Sequence, residues 1–151
     1  MRAHATGGAG LVQARKERIR MMFERIVNRG ELEVADAVFA ADFHWPQFDL
    51  HGPDGVKAWV TKLREAFPDV EDTVEEQIAE GDVVVTRVTL RGTQTGRWGA
   101  LPPSGRRVEF PAIGIDRFRG ELVVERLALF DMADAMRQLG HTDLTVPALR
   151  R

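Results

Sequence analysis

The spacing of apolar residues changes near the middle of the chain, and this change limits the folds that the chain can adopt. In the first half apolar residues recur every three or four positions, as in Ile19, Met22, Phe23 and Ile26, the spacing of one helix face. Farther along, and most clearly over residues 83–90, Val and Thr follow the pattern of a strand. Helices followed by antiparallel strands predict an α+β domain with helices packed on one face of a sheet.

Turn residues divide this pattern into separate elements. The predicted helices span 11–27, 32–39, 54–66 and 132–139, and the predicted strands span 73–79, 83–90, 108–118 and 122–130. We therefore predict a curved antiparallel sheet packed by three N-terminal helices, with a short C-terminal helix. One domain is expected over 11–142, after a disordered extension at 1–10 and before a C-terminal tail at 143–151.

Composition excludes several classes of partner. The net charge of −2 gives no electrostatic basis for binding nucleic acid or an anionic membrane. The 151 residues contain no cysteine, so disulfides, thiolate metal ligands and a cysteine nucleophile are excluded. No signal peptide and no apolar run of membrane-spanning length is present. We expect a cytoplasmic protein with neither a nucleic-acid nor a membrane partner.

A curved sheet leaves a cavity on its concave side, and such a cavity is the first place to expect a small-molecule ligand. Four aromatic residues of the strand region are candidates for its walls: Trp98, Phe110, Phe118 and Phe130. Trp59 on the third helix is expected to pack against the sheet. The alternative is that these aromatics belong to the ordinary core. A hydrophobic small molecule is thus the predicted partner.

Five short motifs resemble those of the SnoaL-like polyketide cyclases, a branch of the ketosteroid-isomerase-like cone fold. They are G-P-D-G-V-K-A at 52–58, A-F-P-D at 66–69, G-T-Q-T-G at 92–96, L-P-P-S-G-R-R at 101–107 and R-Q-L-G at 137–140. The resemblance covers about residues 15–140. It implies a cone-shaped α+β barrel with a hydrophobic pocket, no cofactor and a homo-oligomeric state, dimer or tetramer. Family cyclases close a ring by an intramolecular aldol reaction on a polyketide ester, in antibiotic biosynthesis.

The resemblance also identifies where the family cyclases carry their acid and base. The carboxylate of the last strand falls at Ala128, and the histidine of the preceding strand falls at Gly114. Neither residue can transfer a proton. This chain also lacks the groups that two related chemistries use. The steroid isomerases use a tyrosine, and this chain has none. The limonene-type epoxide hydrolases use an Arg-x-Asp pair, and here Arg87 is present but the Asp is not.

Three other residues are candidate catalytic groups. Asp116 and Arg126 are expected to face each other across the last hairpin, where the carboxylate could act as a base and the guanidinium could hold a ligand oxygen. A cross-strand ion pair near the rim is the alternative. Asp131 follows the last strand and is a candidate acid, although its position before Met132 also suits the N-cap of the last helix.

Ten residues are predicted to contact substrate: His44, Trp45, Trp59, Arg87, Gln94, Trp98, Phe110, Gly114, Ala128 and Phe130. Arg87 could instead form an ion pair, and Gln94 could bridge backbone groups at a bend. His44, Asp49 and His51 cluster in the sequence, but their spacing matches no common metal motif, so no metal site is expected.

These observations favour an enzyme over a binding protein. The predicted function is that of a cofactor-independent cyclase or isomerase acting on a polyketide or a similar hydrophobic natural-product intermediate. Two alternatives remain open. One is a cofactor-free hydroxylation component of polyketide tailoring, since some SnoaL-like proteins catalyse hydroxylation. The other is a non-catalytic protein that binds a small molecule, as Gly114 and Ala128 suggest.

Overall fold

The computed structural model describes the backbone of residues 3–141 and the side chains from residue 8 onward. The helices in this part of the chain are α1 (Ala3–Met21), α2 (Ala35–Val38), α3 (Gly52–Ala66) and α4 (Met132–Gln138). The strands are β1 (Phe39–Trp45), β2 (Leu50–His51), β3 (Glu71–Glu80), β4 (Val83–Thr93), β5 (Arg107–Arg119) and β6 (Leu122–Phe130). The predicted α+β class and cone fold are confirmed.

The first helix differs from its prediction at both ends. We predicted that this helix begins at residue 11, but α1 begins at Ala3. The disorder expected over residues 1–10 stays a prediction. At its other end α1 continues into a π-helical turn, Met22–Val27, in which the Asn28 amide donates to the Phe23 carbonyl at 2.9 Å. This wider turn carries Met22 and Phe23 into the interior.

The six strands form one curved, open sheet in the order β2-β1-β6-β5-β4-β3. Consecutive strands from β3 to β6 are antiparallel, and two hairpins turn at Gly81 and Gly120, both with positive φ. Strand β1, which was not among the predicted strands, instead lies parallel to β6. The exception arises because β1 comes from the helical first half and joins the sheet beside the last strand rather than through a hairpin.

Strand alternation separates the two faces of this sheet. Along β5 every even-numbered residue from Val108 to Phe118 is buried, whereas the odd-numbered residues are exposed or half-buried. Register then aligns inner-face residues across the strands: Thr86 pairs with Gly114 and Gly114 with Ala128, while Asp116 pairs with Arg126. The inner face therefore carries a small polar region within an apolar surface.

Helix α3 and the π-helical turn cover the inner face and form the core with it. Phe23, Ile26, Val60, Leu63 and Trp45 are all buried in this layer. Burying an aliphatic or aromatic side chain of this size contributes roughly 1.5–3 kcal/mol. The core thus fixes the distance between the helices and the sheet, and with it the space left for a ligand.

The segment between β4 and β5 is held against the end of α3. The Gly96 amide donates to the Ala66 carbonyl at 3.1 Å, and a Cβ at position 96 would overlap the Glu65 carbonyl oxygen. Only glycine permits this approach. Farther along the segment, the backbones of Trp98 and Leu101 pair with each other through two hydrogen bonds. These contacts hold the Trp98 side chain over the open end of the sheet.

Helix α4 is fixed to β5 by Gln138, whose side chain accepts from the Glu109 amide at 2.7 Å and donates to the Glu109 carbonyl at 2.8 Å. The predicted tail at 143–151 lies outside the described residues, and the domain boundary at 11–142 stays a prediction. Within residues 3–141, no helix has the length and apolar character needed to cross a bilayer.

Candidate active site

A cavity of about 690 Å³ opens at one end of the sheet; we call it the outer cavity. Its lining is formed by Phe48, Trp59, Lys62, Leu63, Glu65, Leu90, Arg97, Trp98, Gly99, Leu101, Phe110, Phe130 and Met132. The volume falls within the range of small-molecule sites. Three of the four aromatic residues suggested as walls, Trp98, Phe110 and Phe130, lie here, together with Trp59 and Phe48. The fourth, Phe118, is buried in the core and lines neither cavity.

The aromatic walls support one another. Trp98 stacks on Phe110 with ring centroids 6.3 Å apart, and Trp59 stacks on Phe130 at the same separation. These residues come from the β4–β5 segment, β5, α3 and the end of β6, so the cavity depends on the assembled fold. Charged Lys62, Glu65 and Arg97 are exposed in its lining, which leaves the walls largely apolar.

A second, much smaller cavity of about 20 Å³ lies deeper between the sheet and the π-helical turn; we call it the inner cavity. Its lining comprises Met22, Phe23, Trp59, Asp72, Val88, Leu90, Ala112, Ile113, Gly114, Arg126, Ala128 and Phe130. Trp59, Leu90 and Phe130 line both cavities, so the two adjoin. The inner cavity has room for about one water molecule.

Gly114 and Ala128, both predicted to contact substrate, face each other on neighbouring strands and line the inner cavity. A Cβ at position 114 would lie 2.6 Å from Nη2 of Arg126. The guanidinium therefore occupies space that any larger residue at 114 would need. A glycine here accommodates a buried arginine.

Asp116 and Arg126 form the predicted pair, but it is buried in the interior rather than placed at the rim. Nη1 of Arg126 donates to both carboxylate oxygens of Asp116 at 2.7 Å. The side chain of Asp116 is 0% exposed and that of Arg126 is 4% exposed. Burial raises the pKa of Asp116, while the charge and hydrogen bonds of Arg126 act to lower it. Asp116 lines neither cavity and holds Arg126 in place, and its catalytic role stays a prediction.

Two aromatic rings hold the guanidinium from other directions. The Cζ atom of Arg126 lies 5.6 Å from the ring centroid of Phe23 and 5.2 Å from that of Trp45. Both distances suit cation–π attraction. Trp45 was predicted to contact substrate, but it is fully buried and lines neither cavity, because it packs against Arg126.

Asp72 on β3 is a buried carboxylic acid that the sequence analysis missed. It is 7% exposed and lines the inner cavity. Burial raises the pKa of Asp72 to about 7, although the charge of Arg126 acts in the opposite direction. The predicted strand begins at Thr73, which leaves Asp72 in the preceding turn, whereas β3 begins at Glu71. An inward alternation extended by one residue would have found it.

Gln47 was also missed, since it acts through a long-range backbone contact. Its side chain accepts from the Ala128 amide at 2.6 Å and donates to the Ala128 carbonyl at 2.7 Å. It thereby satisfies the edge of β6 beyond the point where β1 ends. The contact fixes the backbone behind the inner cavity.

Two predicted substrate contacts lie elsewhere. Arg87 faces the outer surface of the sheet, where its Nε lies 3.4 Å from a Glu76 carboxylate oxygen, because it has the opposite strand parity to Val88. Gln94 is fully buried and donates to the Pro102 carbonyl at 3.1 Å, which is the backbone-bridging alternative. Neither residue lines either cavity, and their contact with a ligand stays a prediction.

His44 and Asp131 also lie away from the cavities. The His44 ring stacks on that of His51, and ligand atoms of these histidines and Asp49 lie within 4.8 Å of one another. This exposed group could hold a divalent metal ion, and its lack of one stays a prediction. The Asp131 carboxylate accepts from the Asp134 amide at 3.1 Å and caps α4, the alternative to a catalytic role.

Comparison with known proteins agrees with this architecture. The family model described as SnoaL-like polyketide cyclase matches residues 17–139. The chain therefore belongs to the SnoaL-like polyketide cyclase family. A search of curated proteins gave no match.

Three solved structures are similar over most of their length. TsrD from Streptomyces laurentii is 26% identical with a TM-score of 0.77, and the alignment covers 87% of this chain and 96% of TsrD. IdmH from Streptomyces antibioticus, described as a proposed polyketide cyclase, is 28% identical with a TM-score of 0.71, over 83% and 98%. AclR from Streptomyces galilaeus, described as a proposed hydroxylase, is 25% identical with a TM-score of 0.73, over 93% and 87%.

Proposed function

We propose that this protein is a cofactor-independent cyclase or isomerase acting on a polyketide or a similar hydrophobic intermediate of antibiotic biosynthesis. The observation that carries the proposal is the outer cavity, whose apolar, aromatic lining suits a ring-bearing ligand of small-molecule size. Membership of the SnoaL-like family supports a reaction of the cyclase or isomerase type. A cytoplasmic location belongs to the same proposal.

The cavity would act mainly by orienting its substrate. The resemblance of the motifs places the family's acid and base at Ala128 and Gly114, so we propose that this pair has been replaced and that neither position transfers a proton. Holding two reacting carbons of one chain in contact can itself supply several kcal/mol of the barrier. An intramolecular aldol closure forms one C–C bond and moves one proton from carbon to oxygen, so substrate and product have equal mass.

The test is turnover by the purified chain of linear aromatic polyketide esters that carry an enolisable side chain. Chromatography with mass detection should show a new product of unchanged mass, formed faster than without protein. Trp98→Ala should slow this conversion, because Trp98 lines the outer cavity. Ile78→Ala, at an exposed apolar position on β3, is the matched control and should leave the rate unchanged. Absence of any isomeric product across the panel would contradict the proposal.

A hydroxylation role is a second candidate, favoured by the likeness to AclR. The same experiment separates the two, because a hydroxylated product gains one oxygen atom in mass. Incubation under ¹⁸O₂ would show whether that atom comes from dioxygen.

A binding role is the third candidate, and the observation that favours it is the absence of a proton-transferring side chain at Gly114 and Ala128. A ligand that is retained unchanged, with no product of equal or greater mass, would support it. Turnover by the purified chain would exclude it.

We also propose that the protein is a homo-oligomer. The outer face of the sheet exposes Ile113, Leu127 and Leu129, and register places Ile113 beside Leu129. Such a patch is typical of a surface covered by a second copy. Sedimentation should give more than one chain per particle, and Leu129→Asp should shift the protein toward the monomer. A wild-type monomer at high concentration would contradict this assembly.

A further inference from the structure

Two buried polar atoms at the inner cavity have no hydrogen-bond partner among the described residues. They are Oδ1 of Asp72 and Nε of Arg126. Both residues are more than nine-tenths buried, and both line the inner cavity. Buried polar atoms are costly to leave unpaired, and they normally find a partner in protein, water or ligand. Two such atoms beside one small cavity indicate that the cavity receives a polar atom.

Arg126 is held so that it cannot turn to find another partner. Its Nη1 is occupied by both oxygens of Asp116, Phe23 and Trp45 lie against its guanidinium, and Nη2 occupies the space above Gly114. Its Nε–H is thereby fixed as a donor. An arginine cannot accept a hydrogen bond, so the missing partner must be an acceptor.

Asp72 is fixed through its backbone. The Asn28 side chain accepts from the Asp72 amide at 2.7 Å and donates to the Asp72 carbonyl at 2.9 Å. Since burial raises the pKa of Asp72 to about 7, its carboxyl group keeps its proton in mildly acidic solution and can donate it in a hydrogen bond. The arrangement then offers two donors from different strands.

We infer that Asp72 and Arg126 form a subsite that binds one carbonyl oxygen of a ligand whose apolar body lies in the outer cavity. The inference rests on the proposed function only in assigning the outer cavity to a small apolar ligand. The ligand class of the subsite is narrower than that of the proposed function: it is a ring-bearing ketone with its oxygen at one end. Only Trp59, Leu90 and Phe130 are shared by the two cavities, so the oxygen enters between the stacked rings of Trp59 and Phe130.

A matched pair of probes tests this subsite: 2-tetralone, a bicyclic ketone, and tetralin, the same ring system without the oxygen. Calorimetry or ligand-observed NMR at pH 6 gives the affinity of each for the wild-type chain and for Asp72→Leu. Losing one hydrogen bond from a buried site should reduce the affinity for the ketone, relative to the hydrocarbon, by about tenfold. Asp72→Asn, whose amide still donates, should keep the wild-type preference.

A spectroscopic readout uses the wild-type protein alone. The carbonyl stretch of bound 2-tetralone, labelled with ¹³C at the carbonyl carbon, should lie well below its frequency in an apolar solvent, because two donors polarise the bond. In Asp72→Leu the stretch should move back toward the apolar value. The carbonyl stretch of the ligand bound to the wild-type protein can be measured even if Asp72→Leu fails to fold.

The possible failures are distinguishable. Equal ketone preference in wild type and Asp72→Leu, or a bound carbonyl stretch at the apolar-solvent frequency, would overturn the subsite while leaving the proposed function intact. Failure of both tetralin and 2-tetralone to bind would overturn the assignment of the outer cavity to a small apolar ligand, and the subsite with it.

Discussion

The outer and inner cavities differ in chemistry although they share three lining residues. The outer cavity is wide and surrounded by aromatic rings, with charged side chains only among its exposed residues. The inner cavity is small and holds the buried Arg126 and Asp72 among apolar side chains. The difference suggests a division of roles, in which the outer cavity selects the ligand by shape and apolar area and the inner cavity selects one oxygen atom. Substitutions on each side should therefore produce different kinds of defect.

The largest expected effect comes from removing the cation of the inner cavity. Arg126→Ala leaves the Asp116 carboxylate buried without a partner, and such losses cost about 3–5 kcal/mol of unfolding free energy. Urea denaturation followed by circular dichroism measures this. The matched control is Arg119→Ala, which breaks an exposed pair with Asp42 at 2.7 Å and should leave the midpoint nearly unchanged. Equal losses in both variants would mean that the buried pair has no special role.

The second prediction concerns the pH dependence of stability. Asp72 has a folded-state pKa raised from 3.8 to about 7, so between these values the folded state binds more protons than the unfolded state. Its contribution to stability is therefore complete below about pH 4 and is lost as pH rises to about 7, a difference of about 4 kcal/mol at most.

Asp72→Asn removes this titration, so the difference in stability between variant and wild type should follow that slope. The charged groups that face Asp72 from the sheet are Arg126 on β6 and, behind it, Asp116 on β5, while Met22, Phe23 and Asn28 of the first helical segment carry no charge. Urea midpoints measured from pH 4 to pH 8 test this. Parallel curves for the two proteins would contradict it.

The third prediction tests the space that Gly114 leaves. Gly114→Ala places a Cβ 2.6 Å from Nη2 of Arg126, so the guanidinium must shift, at a cost of about 1–3 kcal/mol. Gly8→Ala is the control, because nothing lies within 4 Å of a Cβ there and alanine favours the helix. Thermal denaturation should therefore show a lower midpoint for Gly114→Ala than for the wild type, and an unchanged or higher midpoint for Gly8→Ala. A stabilised Gly114→Ala would show that Arg126 is free to move.

The smallest effect is expected in the outer cavity. Trp98→Ala removes one wall while Phe110 and Phe130 remain, so affinity for 2-tetralone and tetralin should fall together, by about two- to tenfold. A loss confined to the ketone would contradict the division between the cavities. Ile78→Ala again serves as the control.

The outer cavity could be predicted from sequence because strand alternation and helix spacing fix which aromatics face inward. Trp98, Phe110 and Phe130 were suggested as walls and line the cavity, whereas Phe118, suggested with them, is buried in the core. The same alternation placed Asp116 opposite Arg126, and the register confirms it. The pattern did not predict how deeply this pair is buried. An ion pair between Asp116 and Arg126 was expected near the rim, but the pair lies in the interior behind the inner cavity.

The inner cavity was less predictable because its contacts join segments far apart in the chain. Asp72 lies at a strand start that periodicity located one or two residues late, and Gln47 reaches Ala128 only through the folded backbone. For Arg87 the sequence left ligand contact and ion pairing open, and its parity places it on the outer face beside Glu76, as the ion-pair alternative requires.

The account as a whole is tested most directly by a crystal structure of the protein with bound 2-tetralone. We expect the rings to lie in the outer cavity between Trp98 and Phe130, with the carbonyl oxygen within hydrogen-bond distance of Asp72 and of Arg126 Nε. A ligand whose oxygen points toward the exposed Lys62 or Arg97, or one that binds beside His44 and His51, would contradict the account.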